Sequence, residues 1–77
     1  MDQNFIDNIH KRILWDMGEA VTHLERSIKQ LSTTSEHYFE LNDTVRGIIR
    51  KDSATILLIE LDKLKFINDH LTKQLKY

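Results

Sequence analysis

The residues best equipped for chemistry are the four histidines, His10, His23, His37 and His70. An imidazole ligates metals and moves protons near neutral pH. Glu19 and His23 stand four residues apart, on one face of any helix that carries them, and His37 and Glu40 stand three apart. Di-metal helical bundles use a Glu-x-x-His pair from each of two helices, with further inward glutamates. Here the three-residue spacing runs from His to Glu and occurs once. Solvated surface histidines are therefore expected, with no metal and no cofactor. The chain has no cysteine, which excludes thiolate metal sites and disulfides together. It has no Gly-x-Ser-x-Gly and no glycine loop of the kind that holds phosphates. A chain this short also struggles to enclose a pocket for a small-molecule substrate. The expectation is a protein that is not an enzyme.

Trp15 is a different kind of candidate. The apolar residues around it, Ile6, Ile9, Ile13, Met17, Ala20, Leu24, Ile28 and Leu31, step by three or four, which is a helical stripe. Trp15 falls about 170° from that stripe on a helix of 3.6 residues per turn. Lys11, Gly18, Glu19 and Thr22 share its face. A tryptophan outside the core, beside a glycine that permits close approach, has the character of an interface anchor. Trp15, Lys11 and Gly18 are thus predicted to bind a partner, the alternative being a tryptophan partly covered by a loop.

These residues must be positioned by helices. Proline is absent and glycine occurs only at Gly18 and Gly47, so little interrupts helix anywhere in the chain. Three segments suggest themselves, at about 5–31, 36–50 and 53–75, in a single domain spanning 1–77. The first stripe repeats every eleven residues, which predicts a nearly straight helix with Asn4 as its cap. Ser32-Thr33-Thr34-Ser35 reads as the clearest break, with Thr33 and Glu36 as a capping box for the next helix. Tyr38, Leu41, Val45, Ile48 and Ile49 form the second stripe. Its phase differs by roughly 130° from that of the third, which predicts a bend near Lys51-Asp52-Ser53. The fold class is all-α, as a three-helix bundle or a bent helical hairpin.

The third segment has a heptad pattern. With Leu57, Leu64 and Leu71 at d, the a positions hold Ala54, Leu61, Asn68 and Leu75. An asparagine at a lowers stability but specifies register and strand number. Glu60 and Lys65 then occupy g and e, where they pair across a parallel homodimer. The alternative is a seam packed inside the same chain, as in ordinary bundles. Ile56, Leu58, Ile59, Phe66 and Ile67 surround the seam, and a helix apolar on most sides is buried on most sides. Leu57, Leu61, Leu64, Asn68, Leu71 and Leu75 are accordingly predicted partner-binding residues.

Composition agrees with association. At 77 residues the chain buries only about 60% of its unfolded surface, and without disulfides it needs another staple. A partner chain or self-association is the one expected. The net charge of −1 and the interspersed acids and bases disfavour nucleic acid, although Arg46, Arg50 and Lys51 form a small basic cluster. No segment approaches a membrane span, and Met1-Asp2-Gln3-Asn4 does not read as a secretory leader. A cytoplasmic setting is expected.

Two segments resemble known families. Leu57-Leu58-Ile59-Glu60-Leu61-Asp62-Lys63-Leu64-Lys65-Phe66-Ile67-Asn68-Asp69 resembles a motif of GGDEF diguanylate cyclases, in which an apolar strand ends in an Asp-x-Asp pair and runs on through Phe-Lys-x-Ile-Asn-Asp. The resemblance implies a strand, with Glu60 at the Mg²⁺ position and Asn68 at the guanine position. Glu60 departs from the family's aspartate, His70-Leu71-Thr72-Lys73 departs from the glycine-histidine segment that should follow, and the GGDEF signature is missing. A relic of such a cyclase is what it implies at most. Leu24-Glu25-Arg26-Ser27-Ile28-Lys29-Gln30-Leu31, with Tyr38 and a further apolar helix, resembles the small hairpin co-chaperones of type III secretion needle subunits. That resemblance implies a chain that packs against a second chaperone. The leading expectation is a helical protein–protein interaction module, whether adaptor, small regulator or co-chaperone. A structural subunit of a larger helical complex is the alternative.

Overall fold

The computed structural model describes residues 3–74, and they form two long helices joined by a tight turn. Helix α1 spans Gln3–Glu40 and α2 spans Thr44–Gln74. The two pack antiparallel along their length in a hairpin about 60 Å long and 16 Å wide. The described residues are therefore helical on both sides of the turn, and the hairpin is the form they take.

Neither expected interruption exists. Ser32–Ser35 lies inside α1 because each threonine hydroxyl there folds back on its own helix. Thr33 Oγ1 donates to the Lys29 carbonyl at 2.9 Å, and Thr34 Oγ1 to the Gln30 carbonyl at 2.7 Å. The same device carries α2 through Lys51–Ser53, where Ser53 Oγ donates to Ile49 O at 2.8 Å and Thr55 Oγ1 to Lys51 O at 3.1 Å. Hydroxyls that bond back to the preceding turn are compatible with helix, and Ser35, whose hydroxyl reaches across to Gly47, stays helical as well. The boundaries 5–31, 36–50 and 53–75 are thus corrected to two helices, and Asn4 lies inside α1 rather than capping it.

The chain reverses instead at Leu41-Asn42-Asp43. Asn42 takes a positive φ of 61°, the left-handed conformation asparagine tolerates better than most residues. The Asp43 N–H donates to Tyr38 O at 2.9 Å and the Asn42 N–H to Phe39 O at 3.0 Å. Those two bonds are a Schellman ending, which satisfies carbonyls that α1 would otherwise leave orphaned. Asp43 then caps α2. Its carboxylate accepts from the Arg46 N–H at 3.2 Å and lies 3.4 Å from the Arg46 guanidinium.

Packing follows a period of seven on both helices. On α2 the covered residues include Gly47, Arg50, Ala54, Leu57, Leu61, Leu64, Asn68 and Leu71. On α1 they include Leu14, Met17, Val21, Leu24, Ile28, Leu31, Ser35 and Tyr38. The eleven-residue stripe shares Met17, Leu24, Ile28 and Leu31 with this seam, then drifts off it toward the N-terminus. Ile6, Ile9 and Ile13 are left exposed, and Leu14 takes the inward place expected of Ile13. Two helices in contact over this length must present matching periods, and the heptad of α2 sets that of α1. Val45, Ile48 and Ile49 also face away from α1, because a straight α2 brings Gly47, Arg50 and Ala54 inward in phase with the leucines.

The two ends of the seam are polar. Near the turn, Ser35 Oγ donates to the Gly47 carbonyl at 2.7 Å, and Ser35 is 3% exposed. The Phe39 ring lies across Gly47 so closely that an added Cβ would come within 2.8 Å of it. Glycine here permits a close approach of the helices, as its lack of a side chain allows. At the open end, His10 Nε2 donates to the Leu71 carbonyl at 2.8 Å, supplying a partner to a carbonyl in the last turn of α2.

Candidate protein-interaction surface

The histidines do not converge. Among the described residues no group of three His, Asp or Glu side chains could hold a metal ion. Glu19 and His23 meet in a solvent-exposed pair at 3.8 Å. His70 stacks on Phe66 one turn earlier, with ring centroids 6.1 Å apart. The basic cluster near the turn is occupied with the turn itself. Arg46 and Arg50 lie over the Tyr38 ring at 5.8 and 5.1 Å, and Arg50 Nη1 donates to Thr34 Oγ1 at 3.1 Å.

The leucine seam of α2 is spent within the chain. Leu61 is 3% exposed, and Leu57, Leu64, Asn68 and Leu71 are half-buried on the face that meets α1. This stripe packs against the chain's own first helix, the alternative to a parallel zipper through Asn68. Leu75 lies outside the described residues. Within the chain, Glu60 pairs with Lys63 on its own helix at 3.4 Å, and Lys65 reaches Glu25 of α1 at 3.6 Å, both pairs being solvent-exposed. Asn68 keeps the liability of its position, since its Oδ1 is buried without a hydrogen-bond partner.

Residues 57–69 are helical throughout. The strand implied by the cyclase resemblance is absent there. Glu60 is exposed while Asn68 faces α1, so the two do not stand together as a ligand-binding pair.

Trp15 stands clear of the seam, 68% exposed, with Lys11 and Gly18 exposed beside it. A Cβ on Gly18 would meet no side chain of the described residues beyond its chain neighbours within 4 Å.

The exposed apolar surface escaped the sequence reading in part. Only Ala54 and Leu61 are buried among the apolar residues of the described chain. One uncovered group, Phe5, Ile6, Ile9 and Ile13, forms with His10 a shallow groove of about 300 Å³ at the open end. Another runs along the back of α2 through Val45, Ile48, Ile49, Ile56, Ile59 and Phe66. The surplus at Ile56, Ile59 and Phe66 was legible as residues surrounding the seam. Val45, Ile48 and Ile49 were not, because placing the turn too early assigned them to an inward stripe. The signal that would have corrected this is Asn42-Asp43, a left-handed residue followed by a helix cap.

No helix among the described residues is long and apolar enough to cross a membrane. What the fold defines is a two-helix antiparallel hairpin with apolar residues on its outer faces. No family model, curated protein or solved structure matches the chain.

Proposed function

We propose that this chain is a non-catalytic helical interaction module, an adaptor, small regulator or co-chaperone, that completes its hydrophobic burial against another protein chain. The observation that carries the reading is the imbalance between covered and uncovered apolar side chains. Among the described residues two apolar side chains are buried, while isoleucines and phenylalanines line the outer faces of both helices. Contiguous exposed apolar patches of this kind mark association surfaces in soluble proteins. Trp15, with Lys11 and Gly18, is a further anchor point on α1. The setting that fits such a module is cytoplasmic, with a protein as partner and neither nucleic acid, membrane nor small-molecule substrate.

A structural subunit of a larger helical complex is the second reading. It is favoured by the distribution of uncovered residues, which lie on the back of α2 and at the open end of α1 and so offer contacts to more than one neighbour.

Sedimentation equilibrium combined with thermal unfolding tests both. The expected result is an oligomer at micromolar concentration, or a monomer whose unfolding is broad and weakly cooperative. A compact monomer with a sharp transition would show that the hairpin is complete by itself and would remove the reading.

A further inference from the structure

The back of α2 is more ordered than a surplus of apolar residues requires. Val45, Ile49, Ile56, Ile59 and Phe66 are between 52% and 71% exposed. Asp52 fills the gap between Ile49 and Ile56, and Lys63 the gap between Ile59 and Phe66, so the steps along this face alternate four and three without interruption. That is a second heptad seam, roughly 150° around the helix from the one that meets α1. His70, stacked on Phe66, continues the alternation by one further step.

We propose that this seam is the docking surface for a second copy of the chain, with the two α2 helices antiparallel about a two-fold axis between Leu57 and Leu58. The proposal rests on the reading of the protein as an interaction module and names the partner of one of its faces. In such a contact a residue a given distance before the axis meets the partner residue the same distance after it. Ile56 then meets the partner's Ile59, Ile49 meets the partner's Phe66, and Val45 meets the partner's His70. Asp52 meets the partner's Lys63, and the symmetry makes that ion pair twice. A parallel arrangement in register would instead set aspartate against aspartate and lysine against lysine, so charge selects the antiparallel one. Both groups are available. Asp52 makes no ion pair among the described residues, and Lys63 engages only the exposed Glu60 of its own helix.

The area is adequate. The five apolar residues expose on the order of 600 Å² per chain, so a dimer that covers them completely buries about 1,200 Å² from them, the lower bound of specific interfaces. A partner of unrelated sequence would give no reason for opposite charges, Asp52 and Lys63, to stand at equal distances on either side of one point in an otherwise apolar stripe.

Charge exchange in the full chain tests the pairing. Asp52→Lys and Lys63→Asp each create two like-charge contacts, and each should raise the dimer dissociation constant about tenfold or more by sedimentation equilibrium. An equimolar mixture of the two variants should recover association, because one chain then brings two lysines and the other two aspartates. The double variant in one chain should recover it too, and it keeps the original net charge, so recovery there reports register rather than bulk attraction. Circular dichroism should show unchanged helicity, since both positions are exposed. The chain has no native cysteine, which permits a second readout. Val45→Cys and His70→Cys chains, oxidised as a mixture, should form a heterodisulfide that neither forms by itself. Like positions in the antiparallel dimer lie about 37 Å apart along the helix.

A dimer in which neither rescue occurs would overturn this pairing and leave the interaction-module reading standing. A weakly cooperative monomer would do the same, pointing to a different chain as partner. A compact monomer with a sharp transition would overturn both.

Discussion

Gly18 and Gly47 respond oppositely to an added methyl group. Gly18 sits in mid-helix with open space where a Cβ would go. Gly18→Ala should therefore stabilise the fold by about 1 kcal/mol, the helix-propensity difference. At Gly47 the same propensity gain meets the Phe39 ring, three of whose atoms lie within 2.9 Å of the new Cβ. The ring must leave, and the bond from Ser35 to the Gly47 carbonyl needs the close approach that the glycine permits. Gly47→Ala is expected to destabilise by about 1 kcal/mol, once lost packing and a weakened hydrogen bond outweigh propensity. Urea titrations of the two variants check the sign of each. Asn68 gives a third test. Leucine there removes a buried oxygen with no partner and extends the seam of Leu57, Leu61, Leu64 and Leu71. Asn68→Leu should stabilise by roughly 1–2 kcal/mol. Register should not slip, because the short turn tethers the helices. A loss of stability would show that the amide has a partner the present contacts do not include.

At the scale of the element, everything depends on where α1 stops. Hydroxyl groups at Thr33, Thr34, Ser53 and Thr55 each bond to a carbonyl three or four residues back, so runs rich in Ser and Thr pass through as helix. Asn42 is the residue that ends it, through a left-handed conformation and the two Schellman bonds that follow. A β-branched residue in that conformation is strained. Asn42→Val is expected to cost about 1–3 kcal/mol, and Asn42→Gly to be neutral or mildly stabilising. If thermal unfolding found valine tolerated as well as glycine, the turn would have to close in another way.

The whole molecule is a rod, 60 Å long and only two helices thick. Each helix has one neighbour, so no side chain can be surrounded as it would be in a three- or four-helix bundle. That geometry is why so few residues are buried despite 40% hydrophobic composition. Stability that comes from a second chain obeys mass action. Tenfold dilution then removes about 1.4 kcal/mol per mole of dimer. For a domain of this size the melting temperature should fall by several degrees over that dilution. A melting temperature independent of concentration across two decades would mean that the rod is stable without help.

The sequence by itself determined that the chain is helical and that Ala54, Leu57, Leu61, Leu64, Asn68 and Leu71 share one face. It also determined that Trp15 stands apart from the core. Those properties follow from local spacing, which a helix translates directly into a face. Only the tertiary structure decided which helix covers that face, where the chain turns, and which isoleucines remain outside. The reason is that period alone does not choose among apolar stripes of similar strength. Ile13 and Leu14, or Ile48 and Gly47, are adjacent residues that differ by about 100° around the helix. Choosing between them takes the partner helix, whose heptad period and close approach at Gly47 select small residues inward at one end and leucines inward along the rest. The apolar residues thereby left on the back of α2 became a surface only once the inside had been settled.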